Sequence, residues 1–249
     1  MWMVFAAFLF GVLVGGVANL VGADLPGRGA PTGPHCPYCG QGRPWWQWLG
    51  LTAYLVGRAQ CPSCGASIGI HGPLIEIGLG LAYGHLWITL GPSIKLMFYS
   101  LYSAIFALIV ATDIERHLIL NMVTYPAMVL GFVASFFVPG VTWRSALTGG
   151  AIGLTFFFLA AVIGDAACGS GAPGGGDVRL AAFIGLITGY PLVIEAIVLA
   201  ILIGATVSLV LPITRARSVT DDVPYGPFLI AGAMITLLWG DGVAQWFLP

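Results

Sequence analysis

Apolar residues along this chain fall in long runs separated by short polar stretches. Crossing about 30 Å of hydrocarbon as a helix takes about 20 apolar residues. Stretches of this kind lie at 2–22, 73–90, 94–112, 119–138, 144–164, 178–190, 191–211 and 224–240. The sixth is short, and Gly189-Tyr190-Pro191 divides it from the seventh with a tight-turn signal. The pattern predicts an all-α polytopic membrane protein of about eight transmembrane helices. The stretch from Met1 to Val21 has no charged start and no small-residue cleavage site, so it reads as a retained first helix and not as a removed signal. One polar excursion, 23–72, is long enough to fold by itself. The expected organisation is a first transmembrane helix at 1–22, a separate segment at 23–72 and a membrane-embedded domain at 73–249.

Composition agrees with this reading. The chain is 58% hydrophobic and 8% charged, whereas a soluble domain carries about 25% charged residues. So few charges cannot cover a water-facing surface, so the lipid bilayer is the expected solvent. A net charge of -1 and the lack of a basic run give no reason to expect a nucleic-acid partner.

Lys and Arg in the short loops set orientation. With the N-terminus outside, Arg28, Arg43, Arg58, Arg116, Arg179, Arg215 and Arg217 are cytoplasmic, leaving only Lys95 and Arg144 outside. The loops at 23–72, 113–118, 165–177 and 212–223 are therefore expected on the cytoplasmic side, together with every chemically suggestive feature of the chain.

Within 23–72, Cys36-Pro-Tyr-Cys39-Gly and Cys61-Pro-Ser-Cys64-Gly repeat one form, with twenty-one residues between them. A Cys-x-x-Cys turn aims both sulfurs at one point, and two such turns complete a tetrahedral sulfur site of the structural zinc kind. Cytoplasmic thiols stay reduced, which weighs against disulfides; redox-active Cys-x-x-Cys pairs are the alternative. A site closed by four thiolates leaves no position for water, so this metal is expected to fold a small insert between the first two helices and not to catalyse. Trp45, Trp46 and Trp48 lie between the two pairs and either pack the insert or rest at the membrane interface. Cys168 stands alone and reads as structural.

Ionisable groups at membrane depth are functional candidates. Asp24, Asp221 and Asp222 fall in expected loops as solvated charge, Asp241 lies near the C-terminus, and Glu195 reads as structural. Asp165 is a modest candidate. Asp113 and Asp177 stand apart. Asp113 closes its helix within Ala-Thr-Asp-Ile-Glu-Arg-His, where a carboxylate opposes the helix dipole. Asp177 follows Pro173-Gly174-Gly175-Gly176, where an N-cap is the plain reading. Two carboxylates at one depth can share a proton, one activating water while the other protonates a carbonyl. The helix ends bias the roles, so Asp113 is expected as the acid and Asp177 as the base. The glycines remove side chains where a substrate strand would approach backbone.

These residues resemble the type IV prepilin peptidase family, membrane aspartyl proteases of the GxGD type, along nearly the whole chain. Gly15-Gly16-Val17-Ala18-Asn19 through Leu25-Pro26 is similar to the family's Gly-Ser-Phe-x-Asn…Arg-Leu-Pro stretch, with departures at Gly16, Val17 and Asp24. Both cysteine pairs match in separation, with Tyr54, Gly57 and Arg58 in register. Pro73-Leu74-Ile75-Glu76 is similar to Tyr-Pro-x-x-Glu, with Gly72 in place of Tyr. Asp113…Ile119 matches the first catalytic motif except that Leu120 replaces Pro. Gly174-Gly175-Gly176-Asp177-Val178-Arg179-Leu180 matches Gly-x-Gly-Asp-x-Lys-Leu, and Val223 to Phe228 is like the closing Ile-Pro-Phe-Gly-Pro-Phe.

The resemblance implies a membrane aspartic endopeptidase of the bacterial inner membrane. Its catalytic residues would be Asp113 and Asp177, with Gly174 and Gly176 in the active-site loop. The substrates implied are type IV prepilins or pseudopilins, cut after the glycine that ends a short basic leader, on the cytoplasmic face. N-methylation of the new N-terminus with S-adenosylmethionine is implied in many members, tied to the cysteine-bearing region. Asp24, Glu115, Asp221 and Asp222 are candidates for attracting the leader. The rival readings are a transporter using Glu76, Asp113 and Glu195, a methyltransferase without protease activity, and a zinc-stabilised assembly factor.

Overall fold

The computed structural model describes residues 1–28, 34–36, 38–168, 174–213 and 224–247, with side chains at 1–25, 34–36, 38–166, 174–210 and 224–240. The regular elements among them are helices: α1 (Trp2–Arg28), α2 (Gly50–Leu55), α3 (His71–Leu90), α4 (Ile94–Arg116), α5 (Asn121–Ala134), α6 (Trp143–Cys168), α7 (Gly175–Thr188), α8 (Leu192–Ile213) and α9 (Gly226–Phe247). All eight apolar runs of the sequence are helical. Trp2–Leu25, His71–Leu90, Ile94–Arg116, Trp143–Ala166 and Leu192–Val210 are long and apolar enough to cross a bilayer. The protein is a multi-pass membrane protein. A bilayer offers no water to backbone groups, so helices that satisfy their own amides are what such runs form.

The chain divides into two compact units, Met1–Leu118 and Ile119–Pro249. In the first, α1 packs against α3 and α4. Small residues make the α1–α3 approach possible: a Cβ on Gly11 would stand 2.6 Å from the Leu79 carbonyl oxygen, and one on Gly15 2.8 Å from Glu76 Cα. Backbone contact of this kind is how helices associate without a hydrophobic driving force between them. Ser93 caps α4, its Oγ accepting from the Leu96 N–H at 3.2 Å. The helix ends where His117 turns left-handed (φ 53°) and donates its N–H to the Asp113 carbonyl at 2.8 Å.

In the second unit α7 is the enclosed helix, contacting α5, α6, α8 and α9. Leu180 through Thr188 are all buried. That explains why a run of only 14 residues is apolar all round: its solvent is protein on every side. Gly149 and Gly185 let α6 and α7 touch backbone to backbone. The turn after α7 is held to the start of α6, with Tyr190 N–H donating to the Ser145 carbonyl at 3.0 Å and Ser145 Oγ donating to the Tyr190 carbonyl at 2.8 Å.

Helix α1 does not end at Gly22 but continues to Arg28, so the polar segment begins later than expected. Helix α4 likewise runs one turn past Asp113, to Arg116. Arg116 then donates from Nη2 to the Ala23 carbonyl at 3.3 Å, which ties the end of α4 to the extended part of α1.

Candidate metal centre and acidic residues

The two cysteine pairs form two copies of one knuckle. In the first, Cys36 N–H donates to the Gln41 carbonyl at 2.8 Å and Gly40 N–H to the Cys36 carbonyl at 2.9 Å; in the second, Cys61 donates to Ala66 and Gly65 to Cys61 at the same distances. Gly40 and Gly65 hold matching left-handed angles, φ 73° and 71°, which glycine adopts without a Cβ penalty. The bridges His35–Gly42 and Gln60–Ser67 close both loops in the same way.

The knuckles face each other. Cys36 Sγ lies 3.7 Å from Cys64 Sγ, and Cys39 Sγ lies 3.7 Å from Cys61 Sγ. All four sulfurs are within 4.8 Å of one another. A zinc tetrahedron with Zn–S bonds of about 2.3 Å has its sulfurs about 3.8 Å apart. Pairing across the knuckles is what a shared metal needs, and redox pairs acting within each knuckle do not require it. Amides at Cys64 and Ser63 donate toward Cys61 and draw its thiol down to about 6, while at Cys64 burial and the three other thiols outweigh the Ala66 amide and push the thiol up. The donor set fits zinc.

The rest of the insert is tied to this centre. Gln47, buried, donates from Nε2 to the carbonyls of Arg58 and Gln60 at 2.9 and 2.8 Å. Tyr54 donates its hydroxyl to the Ile68 carbonyl at 2.6 Å. Asp24, expected in a loop as solvated charge, instead lies on the continuation of α1, 5% exposed, with its Oδ1 3.5 Å from His35 Nε2. The correction follows from helix length: the turns of α1 beyond Gly22 carry Asp24 against the first knuckle.

Glu76, by sequence a motif residue and a candidate on an ion path, takes a different place in the structure. It is fully enclosed in α3. Its Oε1 accepts from the Gly50 N–H at 2.8 Å and from Asn19 Nδ2 at 3.2 Å, while Oε2 accepts from the Leu51 N–H at 2.8 Å. Asn19 also donates to the Gly72 carbonyl at 3.0 Å. One carboxylate thus joins α1, α2 and α3 and fastens the insert to the membrane helices. Removing it leaves several buried donors unsatisfied, each worth about 1–3 kcal/mol. Glu76→Ala is expected to destabilise the start of α2 by about 3 kcal/mol, read as lost hydrogen-exchange protection of Gly50 and Leu51, with Glu76→Gln intermediate. Unchanged protection in Glu76→Ala would remove this clamp from the account.

Asp113 lies in the last turn of α4, 5% exposed, beside buried Ala111 and Thr112. Asp177 is 9% exposed and is not an N-cap. Gly174 is the cap residue, Gly175 and Gly176 are inside α7, and Asp177 occupies the third helical position. Its Oδ2 accepts from the Gly174 N–H at 3.0 Å. Glycine depresses helix formation strongly enough that three in a row read as loop. Here a Cβ on Gly176 would stand 2.9 Å from Ile119 Cβ, so packing room explains that glycine. Tyr225, packed against Phe157 and Phe228, is close enough to feel the Asp177 charge. Arg179 lies over the Tyr125 ring, 5.8 Å from its centroid.

The remaining candidates fall elsewhere. Asp165 is exposed near the end of α6. Glu195 accepts weakly from Thr236 Oγ1 at 3.5 Å. Glu115 is not an open charge, since His71 Nε2 lies 3.0 Å from its Oε1. The side chains of Arg28, Cys168, Arg215, Arg217, Asp221, Asp222 and Asp241 lie outside the described residues.

Comparison with known sequences covers most of the chain. The profile described as "Type IV leader peptidase family" matches residues 100–209, and that of "Bacterial Peptidase A24 N-terminal domain" matches residues 9–90. A Bacillus subtilis protein named "Prepilin leader peptidase/N-methyltransferase" is 26% identical over 243 residues, covering 97% of this chain and 96% of its own. A Pseudomonas aeruginosa protein of the same name is 27% identical over 213 residues, covering 86% and 73%. One from Burkholderia pseudomallei is 30% identical over 206 residues, covering 82% and 66%. No solved structure matches.

Proposed function

Because this chain belongs to the type IV leader peptidase family, we propose that it is a membrane aspartic endopeptidase whose catalytic pair is Asp113 and Asp177. It removes leader peptides from type IV prepilins or pseudopilins. The observation that carries the site assignment is the burial of both carboxylates at helix ends, Asp113 in the last turn of α4 and Asp177 in the first turn of α7. Carboxylates there stand near the membrane boundary, where water for hydrolysis is available and a substrate's apolar helix can remain in lipid.

On this reading Asp177 is the base and Asp113 the acid. Asp177 takes a proton from water as the water oxygen attacks the carbonyl carbon of the scissile bond, and Asp113 gives its proton to the carbonyl oxygen. Collapse of the tetrahedral intermediate breaks the C–N bond: Asp177 gives its proton to the leaving amine while Asp113 takes one back from a hydroxyl of the intermediate, which leaves the carboxylic acid product and restores both aspartates. The Gly174 N–H fixes one oxygen of Asp177 and with it the orientation of the carboxylate. The test is cleavage of a purified prepilin followed by intact mass: two products cut after the leader glycine support the reading, and an uncut precursor rejects it.

Gly176 sets how closely the first turn of α7 approaches Ile119. Gly176→Val is expected to slow cleavage by about 100-fold, the cost of displacing a catalytic group by about 1 Å, with little change in helix content by circular dichroism. A rate within twofold of wild type would mean that the loop's packing does not position Asp177.

The four cysteines would hold a structural zinc, which supplies no open coordination position and so fixes the insert. N-methylation with S-adenosylmethionine is the second activity proposed, read in the same assay as a further mass increase on the cut product. The orientation proposed has the N-terminus outside, in the bacterial inner membrane, with both aspartates toward the cytoplasm. The transporter reading is not favoured, since Glu76 serves the insert and not a path.

A further inference from the structure

Helix α2 carries its apolar residues on the wrong side for a helix in water. Gly50 and Ala53 face inward: a Cβ on Gly50 would stand 2.7 Å from Pro73 Cδ, and Ala53 is fully buried. By helical spacing Leu51 and Leu55 lie on the other side, with Leu55 78% exposed, and Val56, which caps the C-terminus of the helix, is 56% exposed. A surface helix ordinarily presents polar residues there. The adjoining turn leaves Trp45 75% and Trp48 52% exposed as well.

This apolar surface is fixed at membrane depth. The Gly50 and Leu51 amides bond to Glu76, five residues into α3 and so about 7 Å along it. The Leu49 side chain lies against Gly16 of α1. Both α1 and α3 are membrane-crossing helices by length and composition. The start of α2 therefore sits level with the first turns of a span.

Charge identifies the neighbour. Trp48 donates from Nε1 to the Arg43 carbonyl at 3.3 Å, and Gln47 donates to the Arg58 carbonyl at 2.9 Å. Two arginines thus flank the tryptophan turn. Tryptophan with flanking cations is the composition that membrane interfaces with anionic headgroups favour.

We propose that residues 45–56 form a wedge seated in lipid: the tryptophan turn and the outer side of α2 rest in the interfacial layer of one leaflet, with anionic headgroups beside Arg43 and Arg58. The cysteine insert is thereby held against the bilayer surface. This rests on the membrane reading of the chain and not on its peptidase activity.

The test places a photoreactive benzoylphenylalanine at Leu55, or at Trp45 in a second variant, in the full chain in vesicles of phosphatidylcholine with phosphatidylglycerol. The same probe at Leu81, a 61% exposed residue of the α3 span, is the reference. After illumination, intact mass is expected to show a phospholipid adduct at either insert position, at a yield within about threefold of the reference. The phosphatidylglycerol-to-phosphatidylcholine ratio of adducts is expected to fall about fivefold in R43Q and in R58Q, and further in R43Q/R58Q, since each cation near a surface favours anionic lipid by about that factor. Adducts to a second protein chain, or none to lipid at both insert positions while Leu81 reacts, would overturn the proposal. Lipid adducts with no dependence on the arginines would overturn its headgroup part.

Discussion

Asp113→Asn and Asp177→Asn are each expected to lower leader cleavage by at least about 10³-fold while leaving the fold intact. Both substitutions keep side-chain volume, so packing around these buried positions changes little. What changes is chemistry. Asparagine cannot take a proton from water, and its amide is no acid for a carbonyl oxygen. At position 177 the amide still offers an oxygen to the Gly174 N–H, so the bond at 3.0 Å can persist. Loss of cleavage there is then not loss of the cap. Rates come from product masses over time, and folding from circular dichroism and metal content. Variants that cut at more than a tenth of the wild-type rate would reduce the aspartates to structural residues.

The second large effect concerns the cysteines and has the opposite signature. Cys36→Ser or Cys61→Ser is expected to cut bound zinc from one per chain to below about a tenth, since structural zinc binding and folding of such sites are one equilibrium worth about 10–16 kcal/mol. The knuckle bonds at 2.8 and 2.9 Å are then expected to lose hydrogen-exchange protection. Leader cleavage is expected to stay within about tenfold of wild type, because a metal closed by four sulfurs has no position for the reacting water. Metal retained at full occupancy would contradict the ligand assignment. Cleavage lost as completely as in the aspartate variants would contradict the structural part given to the metal.

Much of the architecture was legible because long apolar runs have few physical solutions in lipid, and each became a helix. The knuckles were legible because a Cys-x-x-Cys turn encodes its own geometry, down to the left-handed glycine after each pair. Neither the burial of Asp24 nor the clamp at Glu76 could be read. Asp24 depends on how far α1 continues past its apolar run. The donors to Glu76 come from residues 19, 50 and 51, which are distant in sequence or on another helix. Asp177 was misplaced by one turn because glycine propensity argues for loop, whereas the buried surroundings of α7 override it. The outward leucines of α2 were equally invisible, since six residues are too few to show which side faces a neighbour.

The central claim is that Asp113 and Asp177 act as one catalytic unit, and a double-substitution cycle tests it most directly. Cleavage rates would be measured for wild type, D113N, D177N and the double variant under one condition. Groups that share one reaction step lose their effect together, so the double variant is expected to be about as slow as either single one. If instead the two losses multiply, the carboxylates contribute independently, and the pair is not a catalytic dyad.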